Sequence, residues 1–196
     1  METDRKWVVV RIDGKIAAVS TDYRLLAQIA GRLAKASGPE FADVSAETVG
    51  LDEVWKLRRT VRWEDLLLFG TEFQRKVWRK LWELKHDDAR EGAGSAGPKL
   101  ICYSDFAELC QNRAGVRAVA HAVGLNPVSV IIPCHLVVPK ETIDRIREIR
   151  RKAESTIFKG DDLCLGSILK EPGIDFGNYA LGRGLKRVLI YKELFD

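Results

Sequence analysis

No stretch of the 196-residue sequence approaches the roughly 18 uninterrupted apolar residues of a membrane-spanning helix, and the opening Met1-Glu2-Thr3-Asp4-Arg5-Lys6 lacks the apolar core of a signal peptide. These absences exclude a helical membrane protein and point to an intracellular setting, cytoplasmic or nuclear. Cysteine is scarce as well. Cys102, Cys110, Cys134 and Cys164 show neither CxxC spacing nor the pattern of a disulfide scaffold, so reduced thiols are expected. Residues 1–69 contain no cysteine and no histidine, which leaves that part without obvious zinc ligands; no metal and no cofactor is expected. Charge of one sign is also lacking. A net +4 from 32 basic and 28 acidic residues permits a polyanionic partner without demanding one. What remains, at 46% hydrophobic, is enough to bury the core of one domain or two small ones.

The richest segment runs from Asn126-Pro127 through Val128-Ser129-Val130-Ile131-Ile132 to Pro133-Cys134-His135-Leu136-Val137-Val138-Pro139. The apolar run reads as a short buried strand that delivers a thiol with an imidazole beside it. A thiolate is the reactive form of cysteine, and a neighbouring base generates it, so the pair suggests an activated nucleophile. Cys134 on its own would read as a buried structural thiol.

Around this segment the chain divides into a small α/β unit, residues 1–69, and a mainly helical part, residues 70–196. Residues 7–20 read as two β segments about the Asp13-Gly14 turn. Leu26, Ile29, Ala30 and Leu33 then recur at helical spacing before Ser37-Gly38-Pro39 breaks the helix. Thr71 followed three residues later by Gln74 is a capping box, opening a helix that buries Phe73, Val77, Trp78, Leu81 and Trp82. Residues 86–98 read as a loop. Ser104 to Cys110, a turn at Gln111-Asn112-Arg113-Ala114, and Gly115 to Val123 outline a helix-turn-helix. Residues 140–175 add a basic stretch and a glycine-containing loop, and Leu181 through Leu185, Val188 and Leu189 to Glu193 is a last helix expected to pack on the strand carrying Cys134.

Four blocks in order, Gly70-Thr71-Glu72-Phe73-Gln74 with Val77-Trp78, Tyr103 through Arg117-Ala118-Val119, Asn126-Pro127 with Ile132-Pro133-Cys134-His135, and Gly177-Asn178-Tyr179 through Lys186 to Glu193, resemble the O6-alkylguanine-DNA alkyltransferases. The resemblance spans roughly residues 70–195. It implies a ribonuclease H-like N-terminal unit followed by a winged-helix-like DNA-binding domain with a helix-turn-helix. It implies irreversible, single-use transfer of an alkyl group from O6 of guanine, with O4-alkylthymine a further candidate, to Cys134 of a monomer bound to double-stranded DNA.

Under the same resemblance His135 takes the thiol's proton, relayed through a water to Glu193, and Asn126 orders the adjacent turn. The damaged base must leave the stack to be reached. Arg117 would fill the space it vacates, Tyr103 would crowd its phosphate, and Tyr179, Ala180 and the backbone at Val137 would line its pocket. Ser104, Asn112 and Lys140 complete the implied substrate and DNA contacts.

Leu136 stands where the family motif continues with arginine, and Ala180 replaces a small hydroxyl residue found in some members. The segments at 86–98 and 140–175 are longer than the usual connections. The basic residues of 140–152 could meet DNA phosphates, yet Glu141, Asp144 and Glu148 dilute them, and a solvated face is the plainer reading. Lys56, Arg58, Arg59 and Arg62 are likewise read as a solvated face. His121 is read as a surface or packing residue, Trp78 and Trp82 as core, Cys102 and Cys110 as core thiols. Two other classes of function stay open: a non-enzymatic alkyltransferase-like lesion binder, disfavoured by the retained Cys134, and a Cys-His hydrolase, which would leave the DNA-directed residues unexplained.

Overall fold

A computed structural model describes residues 4–24, 43–84, 100–155 and 174–195. The helix expected over Leu26–Leu33, the loop at 86–98 and Cys164 lie outside them. The fold is mixed α/β, with two small sheets and helices. The chain forms two compact units, one from Met1–Lys85 with His121–Cys134, the other from His86–Ala120 with His135–Asp196.

In the first unit β1 (Trp7–Ile12) and β2 (Lys15–Ser20) form the expected antiparallel hairpin. Its turn needs positive φ at both central residues, which Asp13 at 47° and Gly14 at 76° supply. Strand β3 (Val44–Val49) pairs antiparallel on the far side of β1, giving the order β2-β1-β3. Trp7, Val9 and Ile12 of β1 and Ala17, Ala18 and Val19 of β2 are fully buried. The outer edge of β2 is occupied in turn. Leu67 N–H donates to Ile16 O at 2.9 Å, Val19 N–H to Pro127 O at 2.9 Å, and Ser129 N–H to Val19 O at 3.0 Å. Thus the run leading to Cys134 hangs on the edge of the N-terminal sheet.

Helix α1 (Leu51–Thr60) begins where Glu53 Oε2 accepts Gly50 N–H at 3.1 Å, and it buries Leu51, Val54, Trp55 and Arg58 at helical spacing. Burial of Arg58 corrects the expectation of a solvated face; Lys56, Arg59 and Arg62 are exposed. Helix α2 (Glu72–Leu84) starts with the anticipated capping box, Thr71 N–H to Gln74 Oε1 at 2.9 Å and Gln74 N–H to Thr71 Oγ1 at 3.2 Å. Val77, Trp78, Leu81, Trp82 and Leu84 face the core, whereas Phe73, one residue inside the helix start, is only half-buried. Trp78 Nε1 donates to Ala122 O at 2.8 Å in the interior.

In the second unit β4 (Ile101–Cys102) pairs in parallel with β5 (Val137–Val138). Helix α3 (Tyr103–Leu109) leads through Gln111 at φ 56° and a 3-10 turn over Arg113–Gly115 to α4 (Val116–Gly124), whose residues from His121 on belong to the first unit. Helices α5 (Lys140–Ser155) and α6 (Arg183–Phe195) complete the second unit. Val138, Ile146, Ile174, Phe176 and Ile190 form its core, so α6 packs on β5, and the strand carrying Cys134 that it was expected to meet is not formed. Among the described residues no helix is long and apolar enough to cross a membrane.

Trp78→Phe keeps most of the buried ring while leaving the Ala122 carbonyl without its indole donor. Urea unfolding should show a loss of about 1–3 kcal/mol, with the midpoint falling and the slope unchanged.

Candidate functional site

The Cys134-His135 pair does not lie on a strand. Cys134–Leu136 is a 3-10 turn, and the preceding β-branched run makes only isolated bridges, Val19 with Val128 and Ser129 with Ile132. The reason is in the backbone: Val130 has φ 72°, and Ile131 N–H and Cys134 N–H close tight bonds to Ser129 O and Ile132 O, both at 2.9 Å. A chain that reverses so often cannot propagate a ladder, although every residue from Asn126 to Val138 is buried.

Asn126 organises this turn. Its Nδ2 donates to Ile132 O at 2.9 Å and to Cys134 Sγ at 3.2 Å, and its Oδ1 accepts Val128 N–H at 3.1 Å. Both donors and the acceptor of one amide are thereby used, which fixes its orientation. A hydrogen bond to sulfur favours the thiolate over the thiol, because the charged form is the better acceptor. Cys134 is buried, 6% exposed.

In the second unit His135 is fully buried, and its Nε2 lies 2.8 Å from Glu193 Oε1 on α6. The two meet directly, so the expected water between them is corrected: 2.8 Å leaves it no room. An ionised carboxylate can only accept, so in the neutral ring Nε2 carries the proton and Nδ1 the basic lone pair. Glu193 thereby sets the tautomer and offsets the cost of a buried imidazolium.

Lys186 is fully buried, and its Nζ donates to Val137 O at 2.7 Å and stands 5.9 Å from the centroid of the Tyr103 ring. The Val137 carbonyl, expected to face substrate, is therefore engaged by a lysine. The sequence hints at this: Lys186, Ile190 and Glu193 fall on one face of α6, and Lys186 stands between the buried Leu185 and Leu189, where a charged residue needs an internal partner.

Of the remaining expected residues, Tyr103 and Asn112 are half-buried, while Ser104, Arg117 and Lys140 are exposed. Ser104 Oγ lies 3.0 Å from Cys102 Sγ and donates to Asp105 Oδ1 at 3.3 Å. The Asn112 amide folds against Gly115, where a Cβ would stand 2.4 Å from it. Tyr179 is half-buried and Ala180 exposed, in a turn closed by Gly182 N–H to Tyr179 O at 2.9 Å. Asn178 Oδ1 ties that turn to α6, accepting from Arg183 Nε at 3.1 Å and Nη2 at 2.9 Å. On α5, Arg145 pairs with Glu148 at 2.9 Å and Arg147 with Asp144 at 3.6 Å, in keeping with a solvated face. Cys102 is buried as expected, Cys110 only half so, and His121 is exposed. Among the described residues no group of three or more His, Cys, Asp or Glu is placed to hold a metal ion.

Residues 96–154 match the family model described as 6-O-methylguanine DNA methyltransferase, DNA binding domain. A probable methylated-DNA–protein-cysteine methyltransferase of Acanthamoeba polyphaga mimivirus is 45% identical over 76 residues, 39% of this chain and 44% of that protein. The methylated-DNA–protein-cysteine methyltransferase of Haemophilus influenzae is 38% identical over 72 residues, 37% of this chain and 34% of that protein. The chain thus spans less than half the length of these relatives. The crystal structure of O6-methylguanine-DNA methyltransferase from Pyrococcus kodakaraensis is similar at 20% identity, covering 96% of this chain and 91% of that one, with a TM-score of 0.47. The resemblance carried by the motifs is borne out by the family match at residues 96–154 and by these relatives.

Asn126→Ala removes three hydrogen bonds from a buried turn, leaving Val128 N–H without its partner and Ile132 O with the Cys134 N–H alone. Urea unfolding is expected to show a loss of about 3 kcal/mol, and a wild-type midpoint would contradict the organising role.

Proposed function

We propose that this chain repairs DNA by moving an alkyl group from O6 of guanine in a duplex to Cys134, each molecule acting once. The observation that carries the reading is the amide of Asn126, which holds Cys134 Sγ and Ile132 O together in a turn whose next residue is a carboxylate-held imidazole. Displacing an alkoxide from saturated carbon needs a soft, deprotonated nucleophile. A free thiol of pKa about 8.5 is mostly protonated at neutral pH, so a base and a donor to sulfur both raise the reactive fraction.

In the proposed step the thiol proton passes to His135, whose charged ring is stabilised by Glu193. The sulfur attacks the alkyl carbon, the C–S bond forms, and the C–O6 bond breaks with its electron pair going to guanine. The guanine anion then takes up a proton and is restored. The product is an S-alkylcysteine thioether, a bond water does not cleave, so no turnover follows. O4 of alkylated thymine presents the same leaving chemistry and is the second substrate of this reading.

The duplex hides the reacting carbon, so the base must be extruded. The exposed Arg117 on α4 would occupy the vacated space, and Tyr103, at the start of α3, would press on the phosphate. Ser104, Asn112 and Lys140 would contact the backbone, with Tyr179, Ala180 and the Val137 region lining the base pocket. Backbone contacts of this kind position the protein without reading sequence, as a lesion search requires. The three-stranded antiparallel sheet supports the finer reading of a ribonuclease H-like first part, and the helix-turn-helix supports a winged-helix-like second part.

The test is the intact mass after incubation with duplex DNA containing O6-methylguanine. One methyl group per chain, located on the Cys134 peptide and absent from Cys134→Ser, is expected. Tight binding to the lesion duplex with unchanged mass would instead establish a lesion binder.

A further inference from the structure

Arg58 is 5% exposed on α1, two residues from the exposed Lys56 and beside the exposed Arg59. Burying a guanidinium is costly unless its N–H groups find acceptors, so its destination is informative. Nη1 donates to Val130 O at 2.7 Å, across 72 residues of sequence, and Cζ lies 5.2 Å from the Trp55 ring centroid. A charge-assisted bond of this length is about twice as strong as a neutral one.

Its acceptor is the strained point of the turn. Val130 is fully buried at φ 72°, a conformation that costs a β-branched residue on the order of 1–3 kcal/mol and persists only where the surroundings impose it. If the Val130 carbonyl rotated away, the peptide joining it to Ile131 would turn with it. Ile131 N–H is bound to Ser129 O, and Ile132 N–H to Val128 O at 3.0 Å. Ile132 O, in turn, is the atom that shares the Asn126 amide with Cys134 Sγ. An unbroken run of backbone bonds therefore connects the guanidinium's acceptor to the thiol's donor, all within the first compact unit.

We infer that Arg58 is a positioning residue for Cys134: it holds the left-handed Val130 turn and thereby keeps the Asn126 amide on the sulfur. It acts through the backbone and does not itself contact the reacting atoms. The inference rests on Cys134 being the alkyl acceptor.

The experiment follows single-turnover methyl transfer from O6-methylguanine duplex DNA to full-length protein, at a temperature where circular dichroism shows each variant folded. Arg58→Met should lower the rate constant at saturating DNA about tenfold, the effect expected when one coupled member of a hydrogen-bonded network is lost. The DNA concentration for half-maximal rate should stay at the wild-type value, and Arg58→Lys, which keeps a charged donor, should recover most of the rate. If Arg58→Met does not fold, Arg58→Gln replaces it with the same expectations. A variant that unfolds more easily yet transfers at the wild-type rate when folded overturns the inference alone, as does failure of Arg58→Lys to recover rate. A wild-type protein that accepts no methyl group overturns the proposed function and, with it, this role.

Discussion

A buried backbone carbonyl without a donor costs about 1–3 kcal/mol, and the run from Val128 to Cys134 is buried at every residue while belonging to no regular ladder. That requirement shapes much of the first unit. Bonds brought from outside complete the run: Val19 N–H donates to Pro127 O and Ser129 N–H to Val19 O along the edge of β2, Arg58 supplies Val130 O, and Asn126 adds a second donor to Ile132 O. Because the donors arrive from a strand, a helix and the turn's own start, the turn is fixed from three directions. The sulfur at its end inherits that precision.

The second unit meets the same requirement with a different donor. Val137 O, on the short strand after His135, is engaged by the buried Lys186. Lys186 and Glu193 lie seven residues apart in sequence on α6, two turns of one helix, so a single element serves both a backbone carbonyl and the imidazole. The mount of α6 is consistent with that duty: Arg187 Nη2 donates to Ile174 O at 2.9 Å, Ile190 sits in the core, and Gly177 at φ 79° lets the incoming chain pass where a Cβ would lie 2.9 Å from Pro139.

Local chemistry made much of the fold legible. The Asp13-Gly14 turn, the Thr71–Gln74 capping box and the break at Gln111-Asn112 each depend on side chains within a few residues, and each formed where expected. The run to Cys134 has the composition of a strand and folds as a turn, because β-branched composition reports burial as readily as extension and the positive φ of Val130 has no signature in a valine. The burial of Arg58 is hidden for a related reason. Its acceptor lies 72 residues away, and on a helix with basic neighbours a guanidinium bound for the interior looks like any other. The pairing of His135 with Glu193 became visible only through resemblance, since nothing local ties residues 58 apart.

Leu136 departs from the arginine of the family motif, and its place in the structure limits what the change can alter. The side chain is 2% exposed, so what the position lacks is an interior guanidinium and not one turned to solvent. An interior arginine requires several acceptors, which then constrain every group around them; leucine requires only volume. The exchange therefore removes a set of polar demands from the residue following His135. It bears on how the second unit packs around its own short strand.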